Sequence, residues 1–366
     1  MTVTFADKLA RMPHYEPGTS LDDARARAET ADAIKLASNE SPQGPHPAVV
    51  EAIAAAAAGV NRYPDPEARL LRARIADRTE TEPGRIAVSN GSCEILLAGA
   101  EALCEPGAEI VYAWPSFSIY PHMTALAGAR EIRVPLADGD LHDLDAMAGE
   151  VTAATQIVIV CNPNNPTGTH LPAAEIAAFL DLVPDHVTVI LDEAYIEFQT
   201  VEDPDSTIDL MPDYPNLILL RTFSKAYGLA GLRVGYALCS AQFRAAVDAV
   251  RQPFSVNAIA QAAASEAILH QDDVIGRVER NVVERVFVEQ GVRELGLETP
   301  GSEANFSWVE LGENDEAEVI ASLAAAGVAV RPGTPLGDPG HFRVTYGTRA
   351  ENQRFLAALG AALSRD

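Results

Sequence analysis

Along this chain, short apolar runs without alternation recur between longer stretches of helical pattern. Ile86-Ala87-Val88, Ile110-Val111-Tyr112-Ala113, Ile157-Val158-Ile159-Val160, Val187-Thr188-Val189-Ile190-Leu191 and Leu217-Ile218-Leu219-Leu220 are such runs, and each gives way to a polar or glycine-containing turn. Strands buried on both faces read this way, and helices between them predict an α/β fold with a mostly parallel sheet. Helices are expected over Pro47–Ala58 and Glu94–Leu103, a strand over 130–135, a helix over Leu141–Met147 and a further strand over Gly235–Leu238. A long helical stretch from Ala258 to Leu295 leads to a tail of different character. There, strand-like Asn305–Leu311, a helix near Ala317–Ala325, Val328–Arg331, Phe342–Tyr346 and a helix from Ala350 predict a small α+β domain. Residues 1–30 are charged and weakly patterned, with Pro13, Pro17 and Gly18 set to break any helix. No internal repeat or linker is visible.

Composition narrows the function more than the fold. A chain of 366 residues suits two domains, and 48% hydrophobic with 22% charged residues is ordinary globular composition. The net charge of −25 argues against nucleic acid or an acidic membrane as partner. An anionic substrate would need a local arginine cluster working against that field. Four cysteines, Cys93, Cys104, Cys161 and Cys239, contain no CxxC pair, so no metal site or disulfide framework is expected, in keeping with a reducing cytoplasm. Asp7, Lys8 and Arg11 precede any long apolar stretch, and no run approaches the roughly 18 residues of a membrane span.

The candidate chemistry collects where apolar runs end. Only three lysines occur, Lys8, Lys35 and Lys225, and Lys225 follows a buried-strand pattern within Thr222-Phe223-Ser224-Lys225. Lysine, unlike arginine, can lose its proton and form a Schiff base with a carbonyl. Thr222, Ser224 and Arg233 beside it suit a phosphate, as do Gly91 and Ser92 opening a helix after Ser89-Asn90. Taken alone, each is as well read as a surface lysine or a common strand–turn–helix junction; together they converge. Asp192 follows an almost wholly apolar run, where a carboxylate is costly unless it meets a cation. Cys161-Asn162-Pro163-Asn164-Asn165-Pro166-Thr167-Gly168 reads as a rigid turn holding amides toward a crevice. Arg331 and Arg343, on short strands flanking a Pro/Gly loop, suit an anion clamp.

Thr222 to Gly235 resembles the Schiff-base segment of pyridoxal-phosphate aminotransferases of the aspartate-aminotransferase superfamily, fold type I, class I/II. The wording is nearest to the histidinol-phosphate and aromatic branch, and the resemblance runs from Tyr15 to Asn352. It implies pyridoxal 5′-phosphate as cofactor, bound by Lys225 as a Schiff base. It assigns the phosphate to Gly91, Ser92, Thr222, Ser224 and Arg233, joined by Tyr63 from a partner subunit, hence a homodimer with shared active sites. Phe117 would stack on the pyridine ring, Asp192 would pair its nitrogen, and Asn165 and Tyr195 would meet its phenolic oxygen. Tyr15, Asn39, Arg331 and Arg343 would receive the substrates. Relatives usually carry an acidic residue or asparagine where this chain has Cys93.

The implied architecture is an amino-terminal segment, 1–40, joining the small domain, a large cofactor-binding domain over 41–260 with its sheet sandwiched by helices, and a small domain over 261–366. The implied reaction moves an amino group between histidinol phosphate, as donor, and 2-oxoglutarate, as 2-oxo acid acceptor. An aromatic (phenylalanine) aminotransferase is the close rival and an amino-acid-phosphate decarboxylase a remoter one.

Overall fold

Strands that are apolar at every position need cover on both faces, and the chain supplies it. The computed structural model describes residues 3, 5, 7–13, 21–28 and 32–364. Its strands are β1 (Ile34–Lys35), β2 (Ile86–Ser89), β3 (Glu109–Trp114), β4 (Arg130–Pro135), β5 (Thr155–Cys161), β6 (Thr188–Asp192), β7 (Leu217–Thr222), β8 (Gly235–Leu238), β9 (Phe306–Glu310), β10 (Val328–Ala329), β11 (Arg331–Pro332) and β12 (His341–Thr345). A seven-stranded sheet has the order β2-β8-β7-β6-β5-β3-β4, and β8 alone runs against its neighbours. The fold is therefore α/β with a mostly parallel sheet between helices.

The pleat divides each strand between two cores. Val158 and Val160 of β5 pack with Ile176 and Phe179 of the Ala173–Leu180 helix, while Ile157 and Ile159 pack with Ile95 and Leu96 of the Ser92–Leu103 helix. Because the strands other than β8 are parallel, Ser89, Trp114, Cys161, Asp192 and Thr222 end on the same side of the sheet. That edge is where α/β proteins place their ligands.

A second unit forms from both ends of the described chain. β1 pairs in parallel with β10, and β11-β12-β9 make an antiparallel sheet in which Arg331, Arg343 and Trp308 are register partners. Leu36 joins Val309, Phe342, Val344, Phe355 and Leu359 in its core.

Several local expectations need correction. The stretch expected as one helix from Ala258 to Leu295 is two, Ala258–Ala267 and Gln271–Glu294. The first ends over Ile268, and Asp272 and Asp273 then favour a new helix start by their charge on its amino-terminal dipole. Between them His270 stacks on His46 with ring centroids 4.0 Å apart. The helix expected over Leu141–Met147 begins instead at Leu144, because Leu141 pairs with Ala137 and Asp143 caps Ala146 N–H at 2.9 Å. Leu21–Ala28 is helical despite its weak pattern, with Ala24 buried. Among the described residues no helix is long and apolar enough to cross a membrane, and no cluster of His, Cys, Asp and Glu could hold a metal ion.

Candidate active site

The aligned strand ends and the small sheet enclose a cavity of about 380 Å³. Ser92, Phe117, Asn165, Asp192, Tyr195, Thr222, Ser224, Lys225 and Arg233 line it from the large sheet's side, and Asn39, Arg331 and Arg343 from the other. Twelve residues singled out in the sequence thus meet in one place. Gly91 underlies them. Tyr63 does not reach this cavity: it is 81% exposed and stacks on Phe254, centroids 4.6 Å apart, at a separate depression. Tyr15 lies outside the described residues.

The Lys225 amine donates to two backbone carbonyls, Ser38 O at 3.2 Å and Asn39 O at 3.1 Å. Burial, with the Arg343 charge next, pushes its pKa down to about 7. An amine in that range is partly neutral near physiological pH and can act as nucleophile or base. The loop that supplies the carbonyls is held by Asn39, whose backbone takes a left-handed φ of 53°. Its N–H donates to Thr345 Oγ1 at 2.8 Å and its Nδ2 to the Tyr195 hydroxyl at 3.0 Å.

Asp192 is 2% exposed. Its Oδ2 accepts from the Tyr120 hydroxyl at 2.8 Å and its Oδ1 from Ala194 N–H at 3.3 Å. Neither partner is a cation, so burial pushes the carboxyl up to about 6 against the pull of these bonds. Tyr120 was not singled out in the sequence. It sits three residues after Phe117 on the Ile119–Ala127 helix, edge-on to the Phe117 ring, and looks like core until Asp192 is seen beside it.

Opposite, the Ser89–Ser92 turn forms a cup. Gly91 has φ +80°, and a Cβ there would come within 2.4 Å of Arg233 Nη2. A Cβ on Gly235 would lie 2.5 Å from the Ser92 amide nitrogen. Gly91 is therefore favoured by its left-handed φ and Gly235 by close approach to backbone. Arg233 itself has φ +56°, a conformation a long side chain adopts only when its surroundings hold it. Its Nη1 donates to Ser224 Oγ at 3.4 Å and Ala230 O at 3.1 Å. Ser224 N–H in turn donates to Thr222 Oγ1 at 3.1 Å. Hydroxyls, a guanidinium and the amino end of the Ser92–Leu103 helix make an anion site. Cys93 also lines the cavity, its thiol pushed up by burial and then by Asp192.

Arg331 and Arg343 stand directly opposite one another on β11 and β12, so both guanidiniums leave the same face. Both are buried. Arg343 reaches across to Asn165 Oδ1 through Nη1 and donates to Ala37 O through Nη2 at 3.0 Å. Its guanidinium lies 5.3 Å from the Phe306 ring centroid.

The sequence matches the family described as aminotransferase class I and II over residues 31–359. It is 47% identical to the aromatic amino acid aminotransferase of Thermobifida fusca over 353 residues, 95% of this chain and 94% of that protein. It is 42% identical to the histidinol-phosphate aminotransferase of Geobacillus thermodenitrificans over 98% of this chain and 97% of that one. The crystal structure of histidinol-phosphate aminotransferase from Sinorhizobium meliloti in complex with pyridoxal-5′-phosphate superposes with a TM-score of 0.90. That comparison has 30% identity and covers 99% of this chain and 98% of that one.

The lowered Lys225 pKa has a measurable sign. The neutral amine prevails above pH 7, so the rate at which the cofactor-free protein captures an aldehyde is expected to rise through about pH 7 and then level off. Arg343→Gln removes a neighbouring cation and is expected to move the inflection upward. Capture by stopped-flow absorbance checks both; an inflection near the ordinary lysine range would contradict the geometry.

Proposed function

This chain belongs to the class I and II aminotransferases, and within that family we propose that it is a histidinol-phosphate aminotransferase with 2-oxoglutarate as amino acceptor. The cofactor is pyridoxal 5′-phosphate, which when bound supplies an aldehyde for condensation with amines and a ring that draws electrons from the substrate α-carbon. The residues present fit it. Asp192 is a buried carboxylate without a cation, as a protonated ring nitrogen requires, and the Ser92–Ser224–Arg233 cup fits a phosphate.

In this reading Lys225 Nζ would hold the cofactor and, once released by the substrate amine, would take and return the proton of the substrate α-carbon. Its amine is poised for that because, with a pKa of about 7, it is about half neutral at pH 7. Tyr120 and Ala194 N–H fix the Asp192 carboxylate, so its charge is oriented before the ring arrives. Gly91, Ser92, Thr222, Ser224 and Arg233 anchor the phosphate, Phe117 supplies a flat apolar face, and Asn165 and Tyr195 bond the ring hydroxyl. Asn39 supports the substrate side through Tyr195, and Tyr15 would close that side.

The observation that carries the substrate is the register pair. Two guanidiniums directly opposite on adjacent strands present a doubly charged face into the cavity that suits an anion. A phosphate monoester carries two charges and three acceptor oxygens, enough for both, and glutamate offers two carboxylates in its place. The second reading, an aromatic amino-acid aminotransferase, is favoured by the 47% identity to the Thermobifida fusca protein. A phenylalanine-like donor brings one anion and leaves one arginine facing a ring.

The two readings part at Arg331. Arg331→Ala is expected to lower kcat/KM for histidinol phosphate by roughly 10- to 100-fold, the loss of one charge-assisted bond of about 1.5–3 kcal/mol. Turnover of phenylalanine should change much less. Equal losses, or a wild-type preference for phenylalanine, would favour the aromatic reading.

Asp192→Ala is expected to slow the proton-transfer step by at least about 100-fold, the scale of a charge-stabilising group in a water-excluded site. Single-turnover kinetics at saturating cofactor would measure it; near-normal rates would take this carboxylate out of the chemistry.

The exposed Tyr63–Phe254 pair leads us to propose a homodimer in which Tyr63 serves the partner's phosphate. Mixing Lys225→Ala with Tyr63→Phe subunits then creates hybrids with one doubly damaged and one intact site. Activity above that of either parent is the expected result, whereas a fully active monomer would exclude sharing.

A further inference from the structure

Behind the large sheet, on the side away from the cofactor cup, lies a second cavity of about 360 Å³. The turn after β6, the end of β7 and the amino-terminal half of the Gln271–Glu294 helix form its walls. Its charges do not balance. Arg221 is fully engaged: Nε donates to Glu193 at 2.7 Å, Nη1 to Asp205 at 2.6 Å and Nη2 to Pro204 O at 2.9 Å. Arg78 donates to the other Asp205 oxygen at 2.6 Å. Two guanidiniums therefore answer Glu193 and Asp205, and Glu197, which also lines the cavity, is left over.

Glu197 Oε2 is buried and has no hydrogen-bond partner. Burial pushes its carboxyl up to about 7, with Arg221 opposing and Glu193 and Asp205 adding to the rise. A further carboxylate, Glu279, lines the same cavity and is exposed, and none of the arginines of the Gln271–Glu294 helix lines it. Tyr227, Tyr236, Val274 and Val278 give the cavity its aromatic and aliphatic surface, beside the neutral polar Thr79 and Gln271.

From this combination we infer that the cavity is a binding site for a small organic ammonium ion with an apolar body, its charge on Glu197 and its body against the tyrosine rings and the helix valines. An anion would meet a net negative wall. A bare metal ion would lack ligands, since no group of three or more His, Cys, Asp or Glu is placed to hold one among the described residues. A protonated amine matches the surplus charge, and the tyrosine faces attract cations. The site is distinct from the cofactor cavity: Glu193 and Arg221 project to this side of β6 and β7, while their neighbours Asp192 and Thr222 line the other.

The test titrates dimethylbenzylammonium into the cofactor-loaded protein by calorimetry at pH 8. This tertiary amine cannot condense with an aldehyde, so it does not report on Lys225 chemistry. Saturable binding of one molecule per chain in the millimolar range or tighter is expected. Glu197→Gln should weaken it at least about tenfold, as loss of a charge-assisted contact does. Val278→Trp, which fills the cavity and leaves Glu197 in place, should weaken it as much and carries the test if Glu197→Gln does not fold. Affinity in the wild type should fall as pH drops below about 7, where Glu197 takes up a proton. Absence of saturable binding, or equal affinity in the wild type and either variant, overturns the inference.

Discussion

A carboxylate at the end of a strand covered on both faces costs several kcal/mol unless something positive meets it. The end of β6 carries two in succession, Asp192 and Glu193, which the pleat sends to opposite sides. Glu193 is answered within the protein by Arg221 at 2.7 Å and by Thr207. Asp192 has only a hydroxyl and an amide. The fold is thus complete on one side of the sheet and electrostatically incomplete on the other. That incompleteness is what suits the cavity to a cationic group. The desolvated carboxylate is left without a cation, which is what suits it to the ring-nitrogen role proposed above, and Tyr120 holds it in place.

The same logic runs through the domain contact. Arg343 grows from the small sheet, yet its guanidinium ends on Asn165 of the large one and on Ala37 O. A side chain that lines the cavity therefore also ties the two units together. A ligand that takes Arg343 would have to share it with that contact.

What was legible in the sequence follows from which forces are local. Continuous apolar runs announced parallel strands, because burial on both faces leaves no room for polar alternation. The strand-end residues Asp192, Asn165, Thr222, Ser224 and Lys225 were legible because polar groups after such runs stand out. Tyr120 was not, since a buried tyrosine on a helix has the pattern of core whether or not it holds a carboxylate. Nor was the break near His270, where a ring stack set by tertiary structure meets a continuous helical pattern. The reversed direction of β8 left no mark either, since a four-residue apolar strand reads the same both ways. Tyr63 is the opposite case: a loop tyrosine whose exposure in one chain is visible only once the chain is folded.

The resting place of the Lys225 amine is made of main-chain oxygens, those of Ser38 and Asn39. Every amino acid carries that oxygen, so point substitution at residue 38 leaves the acceptor there, and the left-handed turn at residue 39 is the one condition its placement needs. The rest of the wall, from Phe117 to the two arginines, consists of side chains, each of which a substitution alters directly. Those can be replaced while the Lys225 amine keeps its acceptors, a division from which any redesign of the pocket would begin.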